Sequence, residues 1–182
     1  MTIRRSLLRA ACAAACFMLL SGCGFLSPGT GSTPTLMTVS SEAFVGSVLP
    51  VSFTCHTRHP VSPPVGWSGA PADTKSYALV VDDASAPIAP YVYWIVFNIS
   101  PGSTDIEQGL LPPGARQAMN SAGKVGYDAP CPQDGPHTYR FTVYALNSML
   151  NLPAGAPLSA AWQAIAAASI DHGRAPPVTA NP

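Results

Sequence analysis

The chain has 182 residues, 47% of them apolar and 10% charged, enough for one domain with a substantial core. Nine Lys/Arg balance nine Asp/Glu, so no long-range basic field gathers nucleic acid or an anionic surface. Any bound anion must be held locally, by donors aimed at it.

Arg4, Arg5 and Arg9 precede or interrupt an apolar run, Leu7 to Leu20, which then reaches LSGC at Leu20–Cys23. A basic start, an apolar segment too short to span a bilayer and a small-residue cleavage site read as a secretory signal over residues 1–22. LSGC resembles a bacterial lipobox. That resemblance implies cleavage before Cys23 and attachment of lipid, palmitate included, to its thiol. Gly24 after the cysteine implies sorting to the outer membrane of a Gram-negative host, facing the periplasm. Loss of Arg4, Arg5 and Arg9 takes the Lys/Arg count from nine to six while nine Asp/Glu stay, so the mature formal charge is minus three. Cys55 and Cys131 are then the cysteines left over. In an oxidising periplasm they can pair; otherwise they are two buried thiols.

Residues 23–35 are small and polar with Pro and Gly, and read as a flexible tether. The following domain is expected over residues 36–173. Leu36–Val39 and Val48–Thr54 are short strand candidates, with Pro50 marking an edge or a strand start. Cys55–Pro71 is a loop by composition. His56 and His59 lie in it, but no further Cys or His spacing completes a tetrahedral zinc set.

Ser76–Asp82 is apolar and β-branched, a central strand. Tyr91–Ile99 is apolar on both faces: alternation puts Tyr91, Tyr93, Ile95, Phe97 and Ile99 on one and Val92, Trp94 and Val96 on the other. Pro101–Lys124 carries turn residues and little periodicity. A Gly/Pro-rich loop then ends at His137, and a strand-like run continues to Leu146. Alternation gives Tyr139, Phe141, Val143 and Ala145 one face and Arg140, Thr142 and Tyr144 the other, with His137 beside Tyr139 at the mouth. Leu158–Ile170 has helical spacing, with Pro157 at its start, Gly173 as a stop and Trp162 expected in the core. The tail over residues 174–182 is expected to be loose.

Four stretches carry a resemblance: SPPVGWSG at Ser62–Gly69, VDDASAP at Val81–Pro87, YVYWIVFNI at Tyr91–Ile99, and GYDAPCPQDGPHTYRFTVYAL at Gly126–Leu146. In this order they resemble the SPPLxWxG, DPDAP, xWxHWxVxNI and GYxGPCPPxGxHRYxFxxYAL motifs of the phosphatidylethanolamine-binding protein family, in its bacterial Raf-kinase-inhibitor-like branch. The resemblance runs from about Leu36 to Ile170. It implies a mainly β fold: a large antiparallel sheet packed on a smaller one, Greek-key connections and a C-terminal helix.

It also implies a pocket for phosphate-like anions or phospholipid head groups. Asp83, His137 and Tyr139 match pocket positions, as do Pro87, Gly126, Pro130 and Pro132. Ser85 falls where the family has its second aspartate, and Tyr93 where it has a histidine. His137, Tyr139 and Tyr93 can donate hydrogen bonds to an anion, while Asp83 more naturally orients His137 or accepts from the ligand. The two replacements leave a more neutral pocket and imply anion binding weaker by about tenfold. The expected function is non-enzymatic binding of such a ligand by an envelope lipoprotein held to the membrane through Cys23. No cofactor, metal or nucleic acid is expected. A second reading is an interaction or inhibitor module with a degenerate pocket and an envelope protein as partner. Catalysis is not expected, because the chain shows no GxSxG and no nucleophile beside a fixed base.

Overall fold

A computed structural model of the chain describes residues 37–86 and 89–182. The signal at 1–22, the tether at 23–35 with Cys23, and Pro87 lie outside the described residues. Among the described residues, nine strands and one α-helix form two sheets with the helix behind them. The small sheet is β1 (Thr38–Ser40), β2 (Val65–Ser68) and β5 (Asp105–Ile106), in that order. The large sheet runs β6 (Arg116–Gln117), β4 (Tyr91–Ile99), β3 (Ser76–Asp83), β7 (His137–Leu146) and β8 (Ser169–Arg174), with β9 (Val178–Ala180) also paired to β7. Every pairing of these strands is antiparallel. Strands β3, β4 and β6 lie side by side and β7 returns beside β3, which is Greek-key order. The mainly β architecture with one C-terminal helix is the one the motifs imply.

Two apolar layers explain why β3 and β4 are apolar throughout. One face of the large sheet packs on the small sheet through Leu79, Val81, Phe141 and Val143 against Val39, Val65 and Ile106. The other packs on α1 (Leu158–Ala168) through Ala78, Val80, Ile95 and Phe97 against Ala161 and Ile165. Each fully buried Val, Leu, Ile or Phe adds about 1.5–3 kcal/mol.

The simple alternation expected along β4 is broken twice. Register shifts against β3 fall between Val92 and Trp94 and between Val96 and Ile99. Tyr93 is left without a partner in the ladder, and Asn98 takes φ +58°. Consequently Val92, Ile95 and Phe97 face the helix, whereas Trp94, Val96 and Ile99 face the small sheet. Buried Asn98 holds the second irregularity by exchanging two hydrogen bonds with the Leu150 backbone.

Other expectations are also corrected. Within Val48–Thr54 the chain makes a 3-10 turn at Val51–Phe53, started by Pro50, which lacks the N–H a strand ladder needs. The segment Cys55–Pro71 contains β2, whose buried Val65 and Trp67 alternate with Gly66 and Ser68. The turn-rich stretch after Pro101 contains β5 and β6. The helix ends at Ala168, and Gly173 sits inside β8 instead of capping it. Trp162 is 40% exposed, on the flank of α1. The tail is not loose: β9 pairs with His137, Thr138 and Tyr139, burying Val178 and Ala180.

Candidate functional site

The site forms at the end of β3 and the beginning of β7. Asp83 is the last residue of β3 and stands opposite Tyr139 of β7 on one side and Tyr91 of β4 on the other. These three therefore form a row on the face that packs toward the small sheet. His137, two residues before Tyr139, shares that face, and its Nδ1 lies 2.6 Å from Asp83 Oδ2. The Asp83 side chain is 3% exposed and the His137 side chain 30%. A buried carboxylate thus fixes a half-exposed imidazole, whose second ring nitrogen is available to a ligand.

Tyr93 owes its place to the first irregularity in β4. A bulge leaves one residue unpaired and re-aims its side chain, and such bulges cluster beside functional sites. The Tyr93 ring meets Tyr91 at a centroid distance of 4.7 Å and Tyr139, edge-on, at 5.5 Å. Its carbonyl accepts the Asp128 N–H at 3.0 Å, which ties the 126–132 loop to the bulge.

Tyr139 is fully buried, and its hydroxyl makes no hydrogen bond of good geometry, although the Tyr93 hydroxyl lies close by. An unpaired buried hydroxyl costs on the order of 1–3 kcal/mol, so a native one calls for an explanation. Burial, with the Tyr93 and Asp83 groups close by, pushes the Tyr139 phenol up. Burial and then the Asp83 carboxylate push Tyr93 up to about 12. Both hydroxyls are therefore protonated donors near neutral pH.

The remaining expected site residues have other placements. The Ser85 N–H donates to Asp83 Oδ1 at 2.7 Å, and Ser85 Oγ accepts the Thr138 N–H at 2.9 Å. Ser85 thus braces Asp83 against β7, a local turn bond that short polar side chains make readily. Gly126 lines a neighbouring cavity with Trp94, Gln117 and Tyr127. Pro130 and Pro132 are buried, and the Pro130 carbonyl accepts the Cys55 N–H. A Cys55–Cys131 disulfide, with Cα atoms 5.2 Å apart, fastens the same two loops. Among the described residues, no three His, Cys, Asp or Glu gather as metal ligands.

Asp128 and Tyr91 were not singled out in the sequence. The Tyr91 hydroxyl lies 3.5 Å from Asp128 Oδ2. Asp128 sits in the GYDAP segment, one residue before Ala129, and nothing local marks it. Its relevance follows from its backbone bond to the unpaired Tyr93. A second carboxylate, that of Asp128, thus stands beside the Tyr91 hydroxyl, with the Lys124 ammonium 3.9 Å from it.

A family model described as phosphatidylethanolamine-binding protein matches residues 39–176, most of the chain. The chain belongs to the phosphatidylethanolamine-binding protein family. It is 42% identical over 151 residues to LppC of Mycobacterium tuberculosis, which is named as a lipoprotein, covering 81% of this chain and 73% of that one. Among solved structures it is similar to CT736, a phosphatidylethanolamine-binding protein homologue from Chlamydia trachomatis, with TM-score 0.72 and 31% identity. That match covers 80% of this chain and 97% of the other. Escherichia coli YbcL, described as a member of the mammalian family, gives a TM-score of 0.71 at 28% identity, covering 79% and 96%. Family membership accounts for the two-sheet fold; the placement of Asp83, Tyr93, His137 and Tyr139 around one point comes from this chain's own geometry.

Proposed function

We propose that this family member binds, without turning over, a small phosphate-bearing or phospholipid head-group ligand at Asp83, Tyr93, His137 and Tyr139. The observation that carries the reading is the buried Tyr139 hydroxyl, which makes no well-formed hydrogen bond in the protein and stands beside an imidazole already oriented by a carboxylate. An acceptor oxygen entering there would satisfy it. The Asp83–His137 pair alone does not make an enzyme. The nearest alcohol, Ser85, already accepts a backbone N–H and braces Asp83, so its geometry is that of a strut.

The protein acts as a lipid-anchored component of the bacterial envelope, in the outer membrane of a Gram-negative host. LSGC at Leu20–Cys23 and the name of the LppC relative support the lipid anchor, and Gly24 after the cysteine supports the outer-membrane sorting. Incorporation of labelled palmitate that ceases in Cys23→Ser is the expected sign of it.

Calorimetric titration of the full-length chain with phosphoethanolamine tests the reading. Saturable binding is expected, with His137→Ala weakening it about tenfold, the value of one lost charge-assisted hydrogen bond. No product should accumulate. Absence of saturation, together with capture of an envelope protein, would favour the interaction-module reading. A product whose formation ceases in His137→Ala would instead make the protein an enzyme.

A further inference from the structure

From Phe141 to Ile170 the chain has no Asp, Glu, Lys, Arg or His. All of α1 lies in this stretch, so its outer face carries no charge, where a helix on the surface of a soluble domain normally does. Ala161, Ile165 and Ala168 face the large sheet. Ser159, Trp162, Gln163, Ala166 and Ala167 face outward. Trp162, 40% exposed, is the wall shared by two apolar hollows. One, of about 480 Å³, is lined also by Pro90, Val92, Leu158 and Ser159. The other is smaller and reaches Tyr144. An open apolar surface of this kind marks a contact that the domain makes with something else.

Beside this surface stands a cation. Arg174 of β8 is paired with Thr142 and His172 with Tyr144, which puts both on the helix side of the large sheet. The Arg174 Nε donates to Thr142 Oγ1 at 3.0 Å, and among the described residues no carboxylate is in ion-pair contact with it. Asp171 alternates to the other side of β8, and buried Asp82 is taken up by Arg140. An otherwise acidic mature chain thus presents an apolar helix flank with a guanidinium at its edge. A tryptophan on an uncharged flank beside a basic side chain suits an anionic bilayer, the ring at head-group depth and the cation against the phosphates.

The tether also ends in the right place. Residues 23–36, fourteen in all, separate the lipidation cysteine from Met37, the first described residue. Met37 lies against Gly173 of β8, the strand that follows α1 directly. A flexible polar chain of that length has an r.m.s. reach of about 20 Å, while the 11 residues of α1 span about 16 Å. A lipid on Cys23 therefore holds this flank at a high effective concentration beside the bilayer, where even a weak contact is populated. We infer that the α1 flank docks on the anionic bilayer to which the chain is tethered, with Trp162 inserted and Arg174 against lipid phosphates. This rests on the proposed lipid anchor and goes beyond it, by fixing which side of the domain meets the membrane.

The test is tryptophan fluorescence of the full lipidated protein on vesicles of equal parts phosphatidylcholine and phosphatidylglycerol whose acyl chains carry bromine, a contact quencher. Of the three tryptophans, Trp67 and Trp94 are 6% and 2% exposed, so only Trp162 can meet the bromine. Emission should fall by roughly a third, the share of one ring in three. Trp162→Phe should show no fall and keep the emission of the two buried rings, the sign that it is folded. Arg174→Glu, a change of two charges, should weaken docking about thirtyfold, fivefold per charge, and lose most of the quenching. Unquenched emission from a parent protein that floats with the vesicles, or quenching that either variant retains in full, would overturn the docking face and leave the anchor standing. Dimers that Trp162→Phe breaks up, with emission unquenched, would give the face to a second copy instead. A parent protein that does not float with the vesicles would overturn the anchor and the docking together.

Discussion

Tyr93 concentrates the residue-scale argument. It is the unpaired residue of a bulge, it packs between two other tyrosines, and it stands where related motifs place a histidine. Its phenol, raised to about 12, and that of Tyr139, also raised, stay protonated well past the ordinary tyrosine range near 10. A raised folded-state value favours the protonated, folded form. The associated stability is complete below about pH 10 and is lost as pH climbs through the folded-state values. An ultraviolet pH titration should therefore show these phenolates appearing well above pH 10, that of Tyr93 near pH 12, with unfolding in the same range. Phenolate from both residues at pH 10 in a still-folded chain would count against the buried, unsolvated site. The identities of Asp83, His137 and Tyr139 were legible in the sequence because each lies in a local motif. Asp128 was not, since what gives it meaning is a backbone bond to a residue 35 positions away, Tyr93.

At the scale of elements, long two-sided strands announced themselves and short ones did not. The bounds of β4 and the apolar run of β3 follow from unbroken β-branched and aromatic sequence. Strands β2, β5 and β6 have two to four residues, too few for a period to appear, and exist because distant partners pair with them. The bulges in β4 have no local signature either, and they separate Trp94 from Val92 and Phe97 from Ile99, pairs that alternation puts on one face. Gly173 shows how a residue type can be read for the wrong reason. It was legible as a helix stop, but its role is a close crossing: a Cβ there would lie 2.5 Å from the Met37 carbonyl oxygen and 2.9 Å from Val39 Cγ2. One of these contacts is backbone, so β1 must shift. Gly173→Ala should lower stability by about 1–3 kcal/mol, read as a lower urea midpoint at unchanged slope. A midpoint equal to that of the parent would mean that β1 and β8 yield freely.

At the scale of the whole molecule, the two sheets and the helix serve to hold one end of the large sheet still. The start of β7 is paired with β3 on one side and β9 on the other, so the backbone of His137 and Tyr139 is clamped by the same C-terminal tail that composition alone left loose. The Cys55–Cys131 bond, closing a separation of 76 residues, restrains the loop that carries Asp128. Constraint over so long a span is worth roughly 4 kcal/mol in the chain-entropy account. The fold class was readable from four motifs in order, because each records a local demand of the fold. The convergence of Tyr91, Tyr93, Asp128 and Tyr139 was not, because register, bulge and tail pairing together decide it.

The central claim, that a ligand oxygen belongs at the unpaired Tyr139 hydroxyl, has a direct test in Tyr139→Phe. The change removes only an oxygen that makes no well-formed hydrogen bond in the protein, so stability should hold or rise while binding falls. Phosphorus NMR of phosphoethanolamine mixed with the full-length chain is the measurement. The account predicts a resonance broadened by the parent protein and close to its free linewidth with Tyr139→Phe at the same concentrations. Equal broadening by the two folded proteins would contradict it.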